Sequence, residues 1–219
     1  METKNLTIVF IDLAGFTTRT SHIPRDKLIE LIDRYEGLVV PTIQEFNGAV
    51  IKKIGDAFMA VFESPTDAIL CGVKVQQTLF EYNKNAKPVD QIRVRIAINT
   101  GEVNIKDNDV YGEAVNIASR LEKVSRPNDV YFTDAVYLSM SKAEIPSIFI
   151  GKKQFKGIPR KIGVYKVLGE YNKILLARKR KKKQSEKRRR RFRLIMFAIF
   201  VLLLILILLY FYQNYLQLL

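Results

Sequence analysis

Two aspartates stand where apolar runs break. Asp12 closes the stretch LTIVFID (Leu6 to Asp12) and leads into LAGFTTRT, a glycine-containing turn rich in hydroxyls, while Asp56 follows Lys52-Lys53-Ile54-Gly55. Two carboxylates brought within a few ångströms repel each other, and a divalent cation is the natural way to offset that. The other reading is a strand-end aspartate that caps a turn and a turn aspartate in solvent. A second pair lies in DNDVYGEAVNIASRLE, where Asn116 and Arg120 are four apart and share one helical face, while Ile117 and Leu121 share the buried one. An amide beside a guanidinium suits an anionic ligand, because both donate hydrogen bonds and the guanidinium grips phosphate at two points. Taken alone, the same pair also reads as a solvated face. The Ala14 to Thr17 turn can present backbone amides to a phosphate.

Composition narrows the chemistry. One cysteine (Cys71) and one histidine (His22) in 219 residues exclude an intramolecular disulfide, a cysteine-based zinc cluster and catalysis by several imidazoles. Any metal must then be held by carboxylates, which points to Mg²⁺ or Mn²⁺. Cys71 falls on an apolar helical stripe and reads as core, and His22 as an ordinary loop histidine.

The elements that must position these residues alternate between strand and helix signals. Leu6 to Asp12 is nearly continuous in apolar residues, as a central strand is. A helix is expected from Pro24–Asp26 to about Phe46, then a hairpin of Ala49 to Ile54 and Phe58 to Phe62 around Gly55-Asp56. A second helix starts at Pro65, a strand covers Arg93 to Asn99, a third helix covers Gly112 to Lys123, and Val130 to Phe132, Ser147 to Phe155 and Val164 to Leu168 supply later strands. Strand, helix, hairpin, helix, strand is the order of a ferredoxin-like α+β sandwich with two helices on one face of an antiparallel sheet.

The charge is segregated. Lys and Arg number 36 against 22 for Asp and Glu, but Arg178 to Arg193 alone hold 12 basic residues and one acid. The soluble part therefore gives no electrostatic reason to expect nucleic acid. Leu194 to Tyr212 follow without a charge, and 19 residues span about 28 Å as a helix, close to the thickness of a bilayer core. The reading is a membrane span at 194–212, preceded by a basic juxtamembrane linker at 169–193 and followed by a short tail at 213–219. The positive-inside rule keeps residues 1–193 cytoplasmic and gives a single-pass protein of the inner or plasma membrane.

FIDLAGFT, KKIGDAFMAVF, INTGEV, DVYGEAVNIASRLE and FKGIP occur in one order, and jointly they resemble the class III nucleotidyl cyclases over residues 4–168. The resemblance implies an adenylate-forming, homodimeric member that converts ATP to 3′,5′-cyclic AMP and pyrophosphate with two Mg²⁺ or Mn²⁺ ions per site. It implies that Asp12 and Asp56 hold the metals, Lys52 and Asp109 read the adenine, and Asn116 and Arg120 steady the ribose and the transition state, with Lys156 a triphosphate contact. It also implies a head-to-tail dimer in which the carboxylates of one subunit meet the base readers and the Asn and Arg of the other. The sequence departs from the family pattern in three places: only Glu102 to Asn108 separate Gly101 from Asp109, Asn99 stands where many relatives have His, and the apolar segment follows the catalytic domain. Three rival readings are a cyclase for another nucleoside triphosphate (GTP or a pyrimidine), a non-catalytic membrane-bound nucleotide sensor, and a basic membrane-surface or nucleic-acid-binding adaptor, although the place of the basic block beside the apolar span explains its charge more simply than nucleic acid does. Lys53 beside Lys52 leaves open which lysine faces the site.

Overall fold

The computed structural model describes residues 2–15 and 24–169, together with positions 192 and 196. The chain divides into two units, 1–175 and 176–219. The expected membrane span, its basic linker and the tail lie outside the described residues, apart from positions 169, 192 and 196, and so do His22 and the end of the Ala14 to Thr17 turn. Among the described residues no helix is long and apolar enough to cross a membrane.

The elements are β1 (Glu2–Leu13), α1 (Arg25–Glu45), β2 (Ala49–Ile54), β3 (Ala57–Phe62), α2 (Pro65–Asn85), β4 (Val94–Lys106), β5 (Asp109–Tyr111), α3 (Glu113–Val124), β6 (Val130–Thr133), α4 (Asp134–Ser139), β7 (Ser147–Gln154) and β8 (Lys161–Val167). They form one sheet in the order β2-β3-β1-β4-β6-β8-β7, with β5 paired to β4. The first four strands keep the ferredoxin-like arrangement. All pairings are antiparallel except β4 with β6.

The helices do not all lie on one face, and β1 explains why. Val9, Ile11 and Leu13 pack with α1 and α2 in one core, while Leu6, Ile8 and Phe10 pack with Ala114 and Ala118 of α3 in another. Successive side chains of a strand point to opposite faces, so a run apolar at every position needs cover on both. The expected pair α1 and α2 occupies one face. The third helix covers the other, and it reaches β4 closely because a Cβ at Gly101 would stand 3.1 Å from the Cβ of Ala114.

Two elements are additions to the sequence reading. Strand β4 runs on through Thr100-Gly101-Glu102 to Lys106, where polar residues and a glycine blur the strand pattern. It then returns as β5 through Asp107 and Asn108, both left-handed at φ +52° and +58°, the conformation of a two-residue hairpin turn. Helix α4 is a short turn of six residues. The N-terminus of α2 follows its sequence signal, with Pro65 in the first turn and the Ser64 hydroxyl accepting from the Asp67 amide at 3.2 Å.

Candidate active site

Antiparallel register sets Asp12 at the end of β1 directly opposite Arg95 on β4. The Arg95 Nε donates to Asp12 Oδ2 at 3.1 Å, and Nη2 binds the same oxygen. The same Nε lies 3.2 Å from Glu122 Oε1 on α3. Asp56, in the β2–β3 turn, joins this group electrostatically. Its carboxyl is raised above the ordinary range, first by burial and then by the charge of Asp12. Glu122 is pushed up to about 7 by burial, by the charge of Asp12 and by a hydrogen bond to it, against the opposing pull of Arg95 and Lys123. Tyr35 of α1 donates to the Ile11 carbonyl at 2.9 Å beneath the carboxylates, and burial together with Asp12 and Asp56 opposes its ionisation.

The second constellation joins β2 to β5. Lys52 Nζ donates to Asp109 Oδ2 at 2.5 Å, and the Val110 amide donates to Asp109 Oδ1 at 2.8 Å. The Lys52 hydrogen bond is the main reason the Asp109 carboxyl sits below its ordinary range, and a Tyr111 hydrogen bond acts in the same direction. Lys52 Nζ also lies 5.6 Å from the centre of the Tyr111 ring. Lys53, one residue on, points to the other side and binds Glu36 of α1. Strand alternation thus separates the two lysines, and it is Lys52 that meets Asp109.

Asn116 is exposed and Arg120 half-buried on α3, and neither side chain has a hydrogen-bond partner among the described residues. At 100° per residue the two stand about 40° apart around the helix, whereas Arg120 and Glu122 stand about 160° apart. Helix α3 therefore turns Glu122 toward Asp12 and presents Asn116 and Arg120 on its other side. Lys156 is exposed in the turn after β7. Asp12 and Asp56 stand close enough for the charge of one to act on the other, Lys52 and Asp109 are hydrogen-bonded, and among the described residues Asn116, Arg120 and Lys156 make no hydrogen bond or ion pair to either pair.

The donor set fits a hard divalent cation. It consists of oxygen only, and an ion between Asp12 and Asp56 relieves the repulsion that raises the Asp56 carboxyl. Among the described residues no group of three or more His, Cys, Asp or Glu is arranged to hold a metal by itself. Mg²⁺ is commonly held by one or two carboxylates together with substrate phosphates and water, and two carboxylates suit that pattern.

Three neighbours were not singled out by sequence: Arg95, Glu122 and Tyr111. The available signal for Arg95 was a charge inside an otherwise apolar strand. Asn99 is also explained. Its Nδ2 donates to the Ala114 carbonyl at 2.9 Å and its Oδ1 accepts from Thr133 Oγ1 at 2.7 Å, so this buried amide ties α3 and β6 to β4. A cavity of about 570 Å³ opens beside it, lined by Gly101, Glu113, Asp134 and Arg160 among others, but by none of the seven expected site residues.

Residues 1–169 match the family described as the adenylate and guanylate cyclase catalytic domain. The chain is 32% identical over 163 residues to serine/threonine-protein kinase pkn2 of Myxococcus xanthus, covering 74% of this chain and 20% of that protein. It is 29% identical over 185 residues to the adenylate cyclase of Anabaena cylindrica, covering 75% and 37%. Thus it spans only a fifth to little more than a third of the length of these relatives. Among solved structures, an adenylate/guanylate cyclase/hydrolase from Silicibacter pomeroyi is similar with a TM-score of 0.70 and 27% identity, covering 77% of this chain and 99% of that one.

Proposed function

The chain belongs to the adenylate and guanylate cyclase catalytic-domain family, and from that premise we propose that it is a membrane-anchored adenylate cyclase producing 3′,5′-cyclic AMP and pyrophosphate. The observation that carries the choice of base is the Lys52–Asp109 pair. Adenine offers an acceptor at N1 and a donor at its exocyclic amine, which match an ammonium and a carboxylate. Guanine offers a donor and an acceptor in those places, so each of its groups would meet its own kind. The direct bond between the two side chains keeps both oriented until the base arrives and favours the ionised Asp109 carboxylate.

In the proposed reaction the ribose 3′-oxygen attacks the α-phosphorus of the same nucleotide and pyrophosphate leaves. Asp12 and Asp56 are the residues that would hold the divalent ions, which when bound acidify the 3′-hydroxyl and neutralise triphosphate charge. Arg95 bridges Asp12 and Glu122 and fixes the position of Asp12. Asn116 donates to the ribose, and Arg120 stabilises the charge that develops on the α-phosphoryl oxygens, a contribution of about 3 kcal/mol for one such donor. Lys156 contacts the triphosphate.

A site built from these parts takes the carboxylates of one copy and the exposed Asn116 with the half-buried Arg120 of a second. Supporting this, α3 turns Glu122 and Arg120 to nearly opposite sides. The functional unit is a head-to-tail homodimer with two shared sites. The apolar run 194–212, with the basic block before it, anchors the protein in the cell membrane with the catalytic domain on the cytoplasmic side.

The test is to incubate the full-length protein with each nucleoside triphosphate and Mn²⁺ or Mg²⁺ and identify the product by mass. Cyclic AMP as the main product is expected. Cyclic GMP as the main product, or no cyclic product from any substrate, contradicts the proposal.

A further inference from the structure

Edge strand β7 departs from the alternation expected of a half-buried strand. Ile148, Phe149 and Ile150 are consecutive, and they are exposed by 47%, 50% and 42%. A bulge falls within this stretch: the register with β8 slips between Phe149 and Gly151, and Gly151 takes φ +132°. The patch has a firm base. The Phe149 ring packs on Tyr165 at 5.1 Å, and Tyr165 stacks on Tyr137 at 4.2 Å. Leu168, also nearly half exposed, belongs to the same end of the sheet, because its amide donates to the Pro146 carbonyl just before β7 at 2.9 Å.

Basic residues accompany this apolar edge. Pro146 to Ile162 contain Lys152, Lys153, Lys156, Arg160 and Lys161 and no acid, whereas residues 1–177 as a whole hold 24 basic and 21 acidic residues. Without those five the rest of the domain is slightly acidic; Arg160 is ion-paired with Glu113 of α3 and Lys156 is assigned to the triphosphate, which leaves Lys152, Lys153 and Lys161 as the basic residues of the hairpin beside the apolar patch. Aliphatic and aromatic side chains beside lysines are the composition of a surface that inserts shallowly between anionic headgroups.

Chain connectivity selects lipid over a protein partner. Leu168 and Gly169 are where the chain leaves the sheet, and it continues into the 12 basic residues of Arg178 to Arg193 and the uncharged run Leu194 to Tyr212. An anchored domain meets the leaflet at high effective concentration, and the face nearest the exit of the chain meets it most readily. We infer that the β7 edge, through Ile148, Phe149, Ile150 and Leu168 with Lys152 and Lys153, docks the catalytic domain on an anionic membrane surface. This inference rests on the anchoring proposed above, and it adds that the domain lies on the bilayer in a fixed orientation with its β7 end down.

The chain contains no tryptophan, so Phe149→Trp gives a single reporter that keeps a ring over Tyr165. The full-length variant is reconstituted into vesicles of phosphatidylcholine with phosphatidylserine, with and without brominated acyl chains, and Phe80→Trp, at an exposed position on α2, serves as the control. Indole emission from the Phe149→Trp protein is expected to fall about two-fold with brominated lipid, as for a side chain seated at the acyl boundary. The Phe80→Trp control should change little, and adding Lys152→Glu with Lys153→Glu to Phe149→Trp should remove most of the quenching. Equal, weak quenching of both reporters in protein that resists carbonate extraction overturns the docking inference while leaving the anchor intact. Protein that is extracted by carbonate defeats the anchor instead, and quenching of the β7 reporter measured before extraction still decides whether the edge docks. Shielding of the β7 reporter that depends on protein density in the membrane but not on brominated lipid assigns the patch to a second copy and also overturns it.

Discussion

Lys52 and Lys53 are neighbours in sequence and opposite in role. One pairs with Asp109 across β2 and β5, the other with Glu36 on α1, and the sequence alone left that choice open because a one-residue slip exchanges the faces of a strand. Lys52→Ala is expected to lower kcat/KM for ATP by about 10²-fold and to erode the preference over GTP, as loss of a specific hydrogen-bonding group does. Lys53→Ala, at an exposed ion pair, should stay within about three-fold. Steady-state kinetics with both nucleotides tests this, and equal losses in the two variants would contradict the assignment. Asp12 and Asp56 were legible because carboxylates at the ends of apolar segments stand out. Arg95 and Glu122 were not, because their proximity to Asp12 depends on the pairing of strands far apart in sequence.

That cluster also has a pH signature. Glu122 titrates near 7 in the folded state against an ordinary value of 4.5, so between those values the native state binds a proton that the unfolded state has released. Its contribution to stability is present below about 4.5 and is lost as pH rises toward 7. In the presence of a chelator, thermal melts of the wild type should therefore fall relative to Glu122→Gln across that interval. A constant difference between the two proteins from pH 4.5 to 7 would remove Glu122 from the account.

At the scale of elements, α3 is the part on which the site depends most. It carries Glu122 on one side and Asn116 and Arg120 on the other, and its start is held by Asn99 through the Ala114 carbonyl. Asn99→Ala leaves that carbonyl and the Thr133 hydroxyl without their buried partner. It should cost about 1–3 kcal/mol and lower Tm by about 2–12 °C for a domain of this size, with kcat falling more than the affinity for ATP. An unchanged melting curve would show that Asn99 does not clamp the helix. The sequence marked α3 clearly through its apolar spacing, but not the face of the sheet it covers. That follows from the consecutive apolar residues Ile8 to Ile11 of β1, a pattern that demands cover on both sides without saying which helix supplies it. The β4–β5 hairpin was missed for a different reason: Gly101 and Glu102 interrupt the strand pattern, and Asp107-Asn108 is a weaker turn signal than Asn-Gly.

For the whole molecule, the expected consequence of anchoring is on assembly. The arm between Gly101 and Asp109 is short, so dimerisation in solution should be weak and confinement to a membrane should favour it. Specific activity of residues 1–177, which contain every core residue among the described residues, should rise steeply with enzyme concentration. Full-length protein in liposomes should lose most of that dependence, and equal dependence in both forms would reduce the anchor to a localisation device.

Shared sites formed by two copies are tested most directly by complementation. Asp56→Ala and Arg120→Ala are each expected to be inactive as purified homodimers. When they are mixed and subunit exchange is verified, half of the dimers should be mixed and each should hold one site with both residues intact. ATP cyclisation should then recover to about a quarter of the wild-type rate. No recovery after verified exchange, or substantial activity in either variant alone, would contradict a catalytic site assembled from Asp56 of one subunit and Arg120 of the other.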